Sequence, residues 1–241
     1  MNTPKAILFD LGGTLLGTRQ FDPAAGMAEL LNYAIDKSRL TPEVRANAAD
    51  SAAALYQQIM TLRDTSDIEF SIRCLLKILY DRLGLGFSIS WEKMELIFWQ
   101  NSVVYTPEPG VERTLEYLQR ADVRMAVVSN SIYSGFVLED ELKKHGLMRY
   151  FDFLISSVDY GIKKPHPLFL GVAVDRLGFA LRDLWFIGDT PRFDITAAAR
   201  FGISSIWYNP TNDSLEDFKP EATIGSWDEF LTIASDYFVK K

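Results

Sequence analysis

KAILFDLGGTLLGT, residues 5–18, is the stretch that decides the fold. Residues 5–11 read as a short buried strand, an apolar run that meets a carboxylate at Asp10 and then the permissive pair Gly12-Gly13. Strands of the same kind return from residue 107 onward. VRMAVVSN, FDFLISS, LWFIGD and SSIWYN read as strands. PGVERTLEYLQRA, SGFVLEDELKKHG, HPLFLGVAVDRLG and DITAAARFG read as helices among them. Such alternation with short connections implies a parallel sheet covered on both faces. ATIGS and WDEFLTIASDYF add a last short strand and a closing helix. The fold class predicted is therefore α/β, with a Rossmann-like parallel-sheet core.

Working outward, residues 17–103 have a different rhythm. FDPAAGMAELLNYAID, TPEVRANAADSAAALYQQIMTL, IEFSIRCLLKILYDRLGL and SWEKMELIFWQNSV are helical in pattern, with apolar residues three or four apart, as in Met27, Leu30, Leu31 and Ala34. Asp22 before Pro23 and Thr41 before Pro42 are expected helix N-caps. The organisation expected is a core of residues 1–16 plus 104–241, interrupted by a helical insertion over 17–103. Ligands of open α/β sheets sit beyond the carboxyl ends of the strands, so an insertion just after the first strand overhangs the site as a cap.

Composition bounds the function. Of 241 residues, 48% are hydrophobic and 24% charged, which is ordinary for a folded domain and excludes disordered or collagen-like chains. No apolar run approaches the roughly 18 residues that cross a bilayer, and the N-terminus lacks the features of a signal peptide. Cys74 is the single cysteine, so no internal disulfide is possible; it is expected to be a small core residue in a reducing, cytoplasmic setting. A net charge of −7 argues against nucleic acid or an anionic membrane surface as a partner. It leaves room for a small phosphorylated substrate neutralised by a divalent cation. Monomer and homodimer are equally compatible with the sequence.

Four segments then carry polar groups that belong together. Asp10 ends the first strand, and Ser129 with Asn130 ends VRMAVVSN. Lys164 lies in GIKKPHPLF, and Asp189 with Asp194 lies in FIGDTPRFDI. Three strands would present these groups on one rim, with the lysine opening a helix beside it. Asp10, Asp189 and Asp194 crowd like charges, which calls for a cation. Oxygen ligands of this kind suit Mg²⁺. A carboxylate beside that ion can attack phosphorus. Ser129 can donate to a phosphoryl oxygen, Lys164 adds positive charge, and Gly12 and Gly13 offer backbone N–H groups.

These segments resemble the motifs of the haloacid dehalogenase superfamily, mainly its phosphatase branch with a helical cap. FDLGGTL resembles the first motif, VVSNS the second, KKPHPLF the third and GDTPRFDITAAARFG the fourth. The resemblance implies a Mg²⁺-dependent hydrolase of small phosphorylated metabolites that works through an aspartyl-phosphate on Asp10. Ser129 and Lys164 would complete the catalytic group, and Asp10, the Gly12 carbonyl, Asp189 and Asp194 would hold the metal. Gly12, Gly13, Thr14, Asn130 and Arg19 are expected to touch substrate.

One position departs from the pattern. The phosphatase motif has an aspartate, which protonates the leaving group, two residues after the nucleophile; this chain has Gly12. Three readings follow. The protein is a hydrolase with a substitute acid, a weakly active or non-catalytic metal- and phosphate-binding protein, or a C–P or C–halogen hydrolase. The C–P branch uses a cap lysine, and Lys37, Lys77 and Lys93 are available but read as solvated helix residues. Arg192, His145 and His166 carry weaker signals, His166 being a candidate helix cap. Phe98 and Trp99 read as packing residues.

Overall fold

The computed structural model describes residues 2–214 and 219–238, apart from the side chain of residue 49. Strand β1 (Ala6–Phe9) is wholly buried. The chain then forms β2 (Leu16–Phe21), α1 (Pro23–Leu30), α2 (Pro42–Asp64), α3 (Ile72–Leu83), α4 (Trp91–Ser102) and β3 (Val103–Pro107). It continues through α5 (Val111–Arg120), β4 (Arg124–Ser129), α6 (Gly135–Lys144), β5 (Leu154–Ser156), α7 (Pro167–Leu177), β6 (Leu184–Gly188), α8 (Asp194–Phe201), β7 (Ser204–Tyr208), β8 (Ala222–Ile224) and α9 (Trp227–Tyr237).

Six strands make one parallel sheet in the order β5-β4-β1-β6-β7-β8. Alternate side chains of β1 enter two cores. Ile7 and Phe9 pack with residues of α5, α6 and α9, among them Leu115, Leu138 and Phe230. Ala6 and Leu8 pack with residues of α7 and α8, among them Phe169, Leu170 and Ala197. Apolar burial on both faces explains why these strands read as continuous hydrophobic runs. The register fixes the site: Phe9 pairs with Val127 on one side and with Ile187 on the other. Asp10, Ser129 and Asp189 therefore leave the sheet within two residues of the same level.

Between β1 and α5 the chain is mostly helical, as the sequence suggested, with one ribbon it did not foretell. Residues 16–21 and 103–107 pair as an antiparallel ribbon with a register shift between Thr18 and Gln20. This ribbon brackets α1–α4. Its strands alternate weakly and are half-exposed, so they carry no strong period.

The four helices begin on the expected chemistry. The Asp22 carboxylate accepts from the Ala25 N–H at 3.0 Å and the Thr41 hydroxyl from the Val44 N–H at 3.2 Å. Ser71 and Ser90 cap α3 and α4 in the same way. Helix α3 buries Ile72, Leu75, Leu76, Leu79 and Tyr80, one face at helical spacing. Cys74 lies off that stripe and is exposed, so it is not the core residue expected from its apolar neighbours.

Buried carboxylates join these helices to the sheet-bearing part. Glu95 of α4 accepts from the Ser134 N–H at 2.6 Å and from the Arg73 Nε at 2.6 Å. Trp99 donates its indole N–H to Glu141 of α6 at 2.9 Å. Trp99 and Phe98 are both buried, as packing residues should be. No described helix is long and apolar enough to cross a membrane.

Candidate active site

At the carboxyl ends of β1, β4 and β6 lies a cleft of about 180 Å³. Asp10, Gly12, Ser129, Asn130, Lys164, Asp189 and Asp194 all line it, so the four sequence motifs do converge. Lys164 is at its centre. Its ammonium lies 2.6 Å from Asp10 Oδ1, 2.7 Å from Asp194 Oδ1 and 2.7 Å from the Val128 carbonyl. The side chain is 1% exposed. A long cation buried this deeply needs such partners. Asn130 holds the loop that delivers it: the Lys164 N–H donates to Asn130 Oδ1 at 2.7 Å, and Asn130 Nδ2 donates to the Lys164 carbonyl at 2.9 Å. The amide expected to touch substrate thus clamps the lysine backbone.

The acidic side of the cleft is built just as tightly. Asp10, Asp189 and Asp194 offer carboxylate oxygens that all lie within 4.8 Å of one another. Lys164 is the one cation paired with them among the described residues. Burial raises the pKa of Asp10 to about 6; Lys164 opposes the rise and Asp194 adds to it. Burial, reinforced by Asp10 and Asp194, raises Asp189 to about 7. For Lys164 burial works against the charge, and the two aspartates outweigh it, so its pKa goes up. Two negative charges in excess, on oxygen ligands alone, suit a divalent cation of the magnesium type.

The loop after Asp10 serves that cluster. Gly13 adopts φ +81°, and a Cβ there would run into the Asp189 carboxylate. Its N–H donates to the Leu16 carbonyl at 2.8 Å, so it closes the turn and is not free for a phosphate as the sequence suggested. Thr14, expected at the substrate, is fully buried; its hydroxyl donates to Asp189 Oδ1 at 3.3 Å and its carbonyl accepts from the Trp227 indole at 3.2 Å. At the fourth motif the Thr190 N–H donates to Asp194 Oδ2 at 2.9 Å, and Gly188 has no side chain because the Asp194 carboxyl fills that space.

Arg19 is not brought into the cleft. It is exposed on β2, and its Nε donates to Thr106 across the ribbon at 2.7 Å. Two residues that sequence reasoning missed are there instead. Arg63, from the last turn of α2, lines the cleft and is fixed by two bonds to buried Glu69, at 2.6 and 2.9 Å. Glu69 in turn accepts from the Ser157 hydroxyl at 2.6 Å. Tyr105, from β3, is the second. Its hydroxyl lies 3.3 Å from the point a Cβ on Gly12 would occupy. Burial pushes that hydroxyl's pKa up, so it is protonated at neutral pH. Neither residue stands in a motif, and only the folding of the inserted segment onto the sheet ends reveals them. Arg192 reaches the Asp64 carbonyl at 2.9 Å, His166 caps α7 through its Nδ1, and His145 pairs with Glu141.

Known proteins resemble this chain in sequence and in fold. The family model of haloacid dehalogenase-like hydrolases matches residues 88–208. The phosphoglycolate phosphatase of Aquifex aeolicus is 30% identical over 225 residues, spanning 89% of this chain and 91% of that protein. Among solved structures, a 2-haloacid dehalogenase from Pseudomonas syringae pv. Tomato aligns with a TM-score of 0.68 at 22% identity, covering 98% of this chain and all of that one. A HAD-hydrolase from Bacillus subtilis, solved bound to magnesium, aligns with a TM-score of 0.60 at 18% identity, covering 97% of this chain and 99% of that one. With this fold, these four motifs and these relatives, the chain belongs to the haloacid dehalogenase-like hydrolase family.

Proposed function

We propose that this protein is a Mg²⁺-dependent phosphatase of small phosphorylated metabolites bearing a second anionic group, and that Asp10 is its nucleophile. The observation that carries the reading is the Lys164 ammonium held between Asp10 and Asp194 beside Asp189. Asp10, Asp189, Asp194 and the Gly12 carbonyl would hold the metal. A bound Mg²⁺ would neutralise carboxylates and phosphate oxygens together. Asp10 attacks phosphorus and becomes an aspartyl-phosphate while the alcohol leaves. Water then cleaves the acyl-phosphate, returning the carboxylate and releasing phosphate. Ser129, buried at the end of β4 and lining the cleft, donates to a phosphoryl oxygen. Tyr105 gives the leaving oxygen its proton and recovers one from the attacking water.

Residues 17–103 act as the cap, and they contribute the substrate's second contact. Arg63 offers its guanidinium to a carboxylate or similar anion next to the phosphate. The phosphoglycolate phosphatase relative supports a short phosphorylated carboxylic acid. The test is hydrolysis of 2-phosphoglycolate and of neutral aryl phosphates, each with and without Mg²⁺. Arg63→Gln should raise KM for the carboxylate-bearing ester about 10- to 100-fold, as expected for loss of a charged hydrogen bond. Its effect on aryl phosphates should be several-fold or less. Equal effects on both would remove Arg63 from recognition, and no hydrolysis of any ester would overturn the phosphatase reading.

Metal binding has its own readout. Asp10 and Asp189 have pKa values above the ordinary 3.8, so ionising them costs the metal-free fold stability as pH rises from about 4 through 7. Asp36 and Glu92 shift downward and act below that window. The metal-free protein should therefore melt at higher temperature at pH 6 than at pH 8. At pH 8, Mg²⁺ at about 100 times its Kd should stabilise by about 2.7 kcal/mol, a rise of roughly 5–10 °C for a chain of this size. Calorimetry with and without Mg²⁺ checks this; an unchanged midpoint in saturating Mg²⁺ would count against the metal site.

A further inference from the structure

Behind Phe193, which forms one wall of the catalytic cleft, lies a second recess of about 250 Å³. It is open to solvent on one side and lined by the loop after α2, the loop before α7, the loop before α8 and α8 itself. Lys163, Arg192 and Arg200 line it, with Asp67 as the one acid. This concentration of positive charge occurs in a chain of net charge −7.

Lys163 is the most buried of the three cations. It is 1% exposed, and the acids Glu69 and Asp67 act on its charge while Arg63 and Arg192 oppose it. Its ammonium lies over the face of Phe193, 4.5 Å from the ring centre. Its backbone is fixed, because its N–H donates to the Asp67 carbonyl at 2.9 Å. The two arginines are anchored as well. Arg192 Nη2 donates to the Asp64 carbonyl and Arg200 Nη1 to the Pro165 carbonyl, each at 2.9 Å, which leaves their other N–H groups for a ligand. Three anchored cations around a small recess are a complement to one multivalent oxyanion.

We propose that this recess binds a small oxyanion of the phosphate class at a site distinct from the catalytic cleft. Its occupant reaches Arg192 inside the loop that carries Asp189 and Asp194, so the two sites share a wall and a loop. The source is either free phosphate released by hydrolysis or the phosphoryl group of a further metabolite; the recognising chemistry is the same. The inference does not depend on turnover, because binding is read directly.

The experiment is calorimetric titration of the full chain with inorganic phosphate in the presence of Mg²⁺. Two binding events per chain are expected, one in the cleft and one in the recess. Lys163→Met should abolish the second or weaken it at least tenfold and leave the first. Arg200→Gln, away from the sheet ends, should weaken the second similarly and carries the test if Lys163→Met fails to fold. Whether the native protein shows one event or two, the absence of any event that Lys163→Met or Arg200→Gln weakens would overturn the proposal. Repeating the titration on Asp10→Asn with glycerol phosphate separates the sources. Weaker binding in the recess than inorganic phosphate marks a product site, and tighter binding marks a metabolite site.

Discussion

Replacing Asp10 by asparagine should leave a folded protein that turns over at least about 10⁴-fold more slowly on every phosphate ester. The two side chains are nearly isosteric, so the loop from 10 to 16 and its bond from the Asp10 N–H to the Ile187 carbonyl are kept. What disappears is the charge and the nucleophilic oxygen. Because the Asp10 pKa is raised to about 6 by burial, its ionised form is unfavourable in the metal-free fold. Asp10→Asn should therefore melt no lower than the native protein when metal is removed. Loss of activity together with retained stability separates a chemical role from a structural one. Mass spectrometry of acid-quenched protein with substrate should find a phosphoryl group on the Asp10 peptide of the native chain and none in the variant. Unchanged activity in Asp10→Asn would exclude the nucleophile assignment outright.

The second large effect concerns the proton. Tyr105→Phe should slow hydrolysis of alkyl phosphates about 10²- to 10⁴-fold, the usual contribution of a positioned acid. Aryl phosphates, whose leaving groups depart without protonation, should slow far less. The basis is geometric: the Tyr105 hydroxyl stands 3.3 Å from where a side chain on Gly12 would begin. An aspartate at position 12 and a tyrosine at 105 therefore compete for one space. Gly12→Asp alone should recover little, since the new side chain must displace the phenol. Gly12→Asp in the Tyr105→Phe background should regain more on alkyl esters than Gly12→Asp alone. Equal losses on alkyl and aryl esters in Tyr105→Phe would make the tyrosine a packing residue.

The sheet and the candidate site residues could be read from the chain because both leave local marks. A strand buried on both faces is a continuous apolar run, and a reactive group at its end breaks the run visibly, as Asp10, Ser129 and Asp189 do. Lys164 was legible through its motif. Arg63 and Tyr105 were not. Arg63 sits in a helix whose polar positions all look solvated, and its place in the cleft depends on Glu69, which depends on Ser157 from a strand end far along the chain. Tyr105 is one aromatic residue in a short ribbon strand. Thr14, Asn130 and Arg19 read as substrate contacts because polar side chains near a rim look alike in sequence; Asn130 does line the cleft, whereas Thr14 is buried and Arg19 is exposed on the ribbon. Their hydrogen bonds to Asp189, to the Lys164 backbone and to Thr106 give them other work. Cys74 misled because its neighbours in the chain are apolar while its own helix face is not.

The ribbon of β2 and β3 has a bearing on how such a protein diversifies. The chain departs from the sheet and comes back to it along two strands that lie side by side, Leu16 opposite Pro107 and Phe21 opposite Val103. Everything between those strands could be lengthened, shortened or swapped for another set of helices, and the six-stranded register below would be undisturbed. Tyr105 lies on the ribbon, whereas Arg63 lies beyond it. A lineage that exchanged the intervening segment would keep Tyr105 unchanged and lose Arg63 in the same event. Descendants of one ancestor could in that way keep a single reaction while parting company over what they cleave.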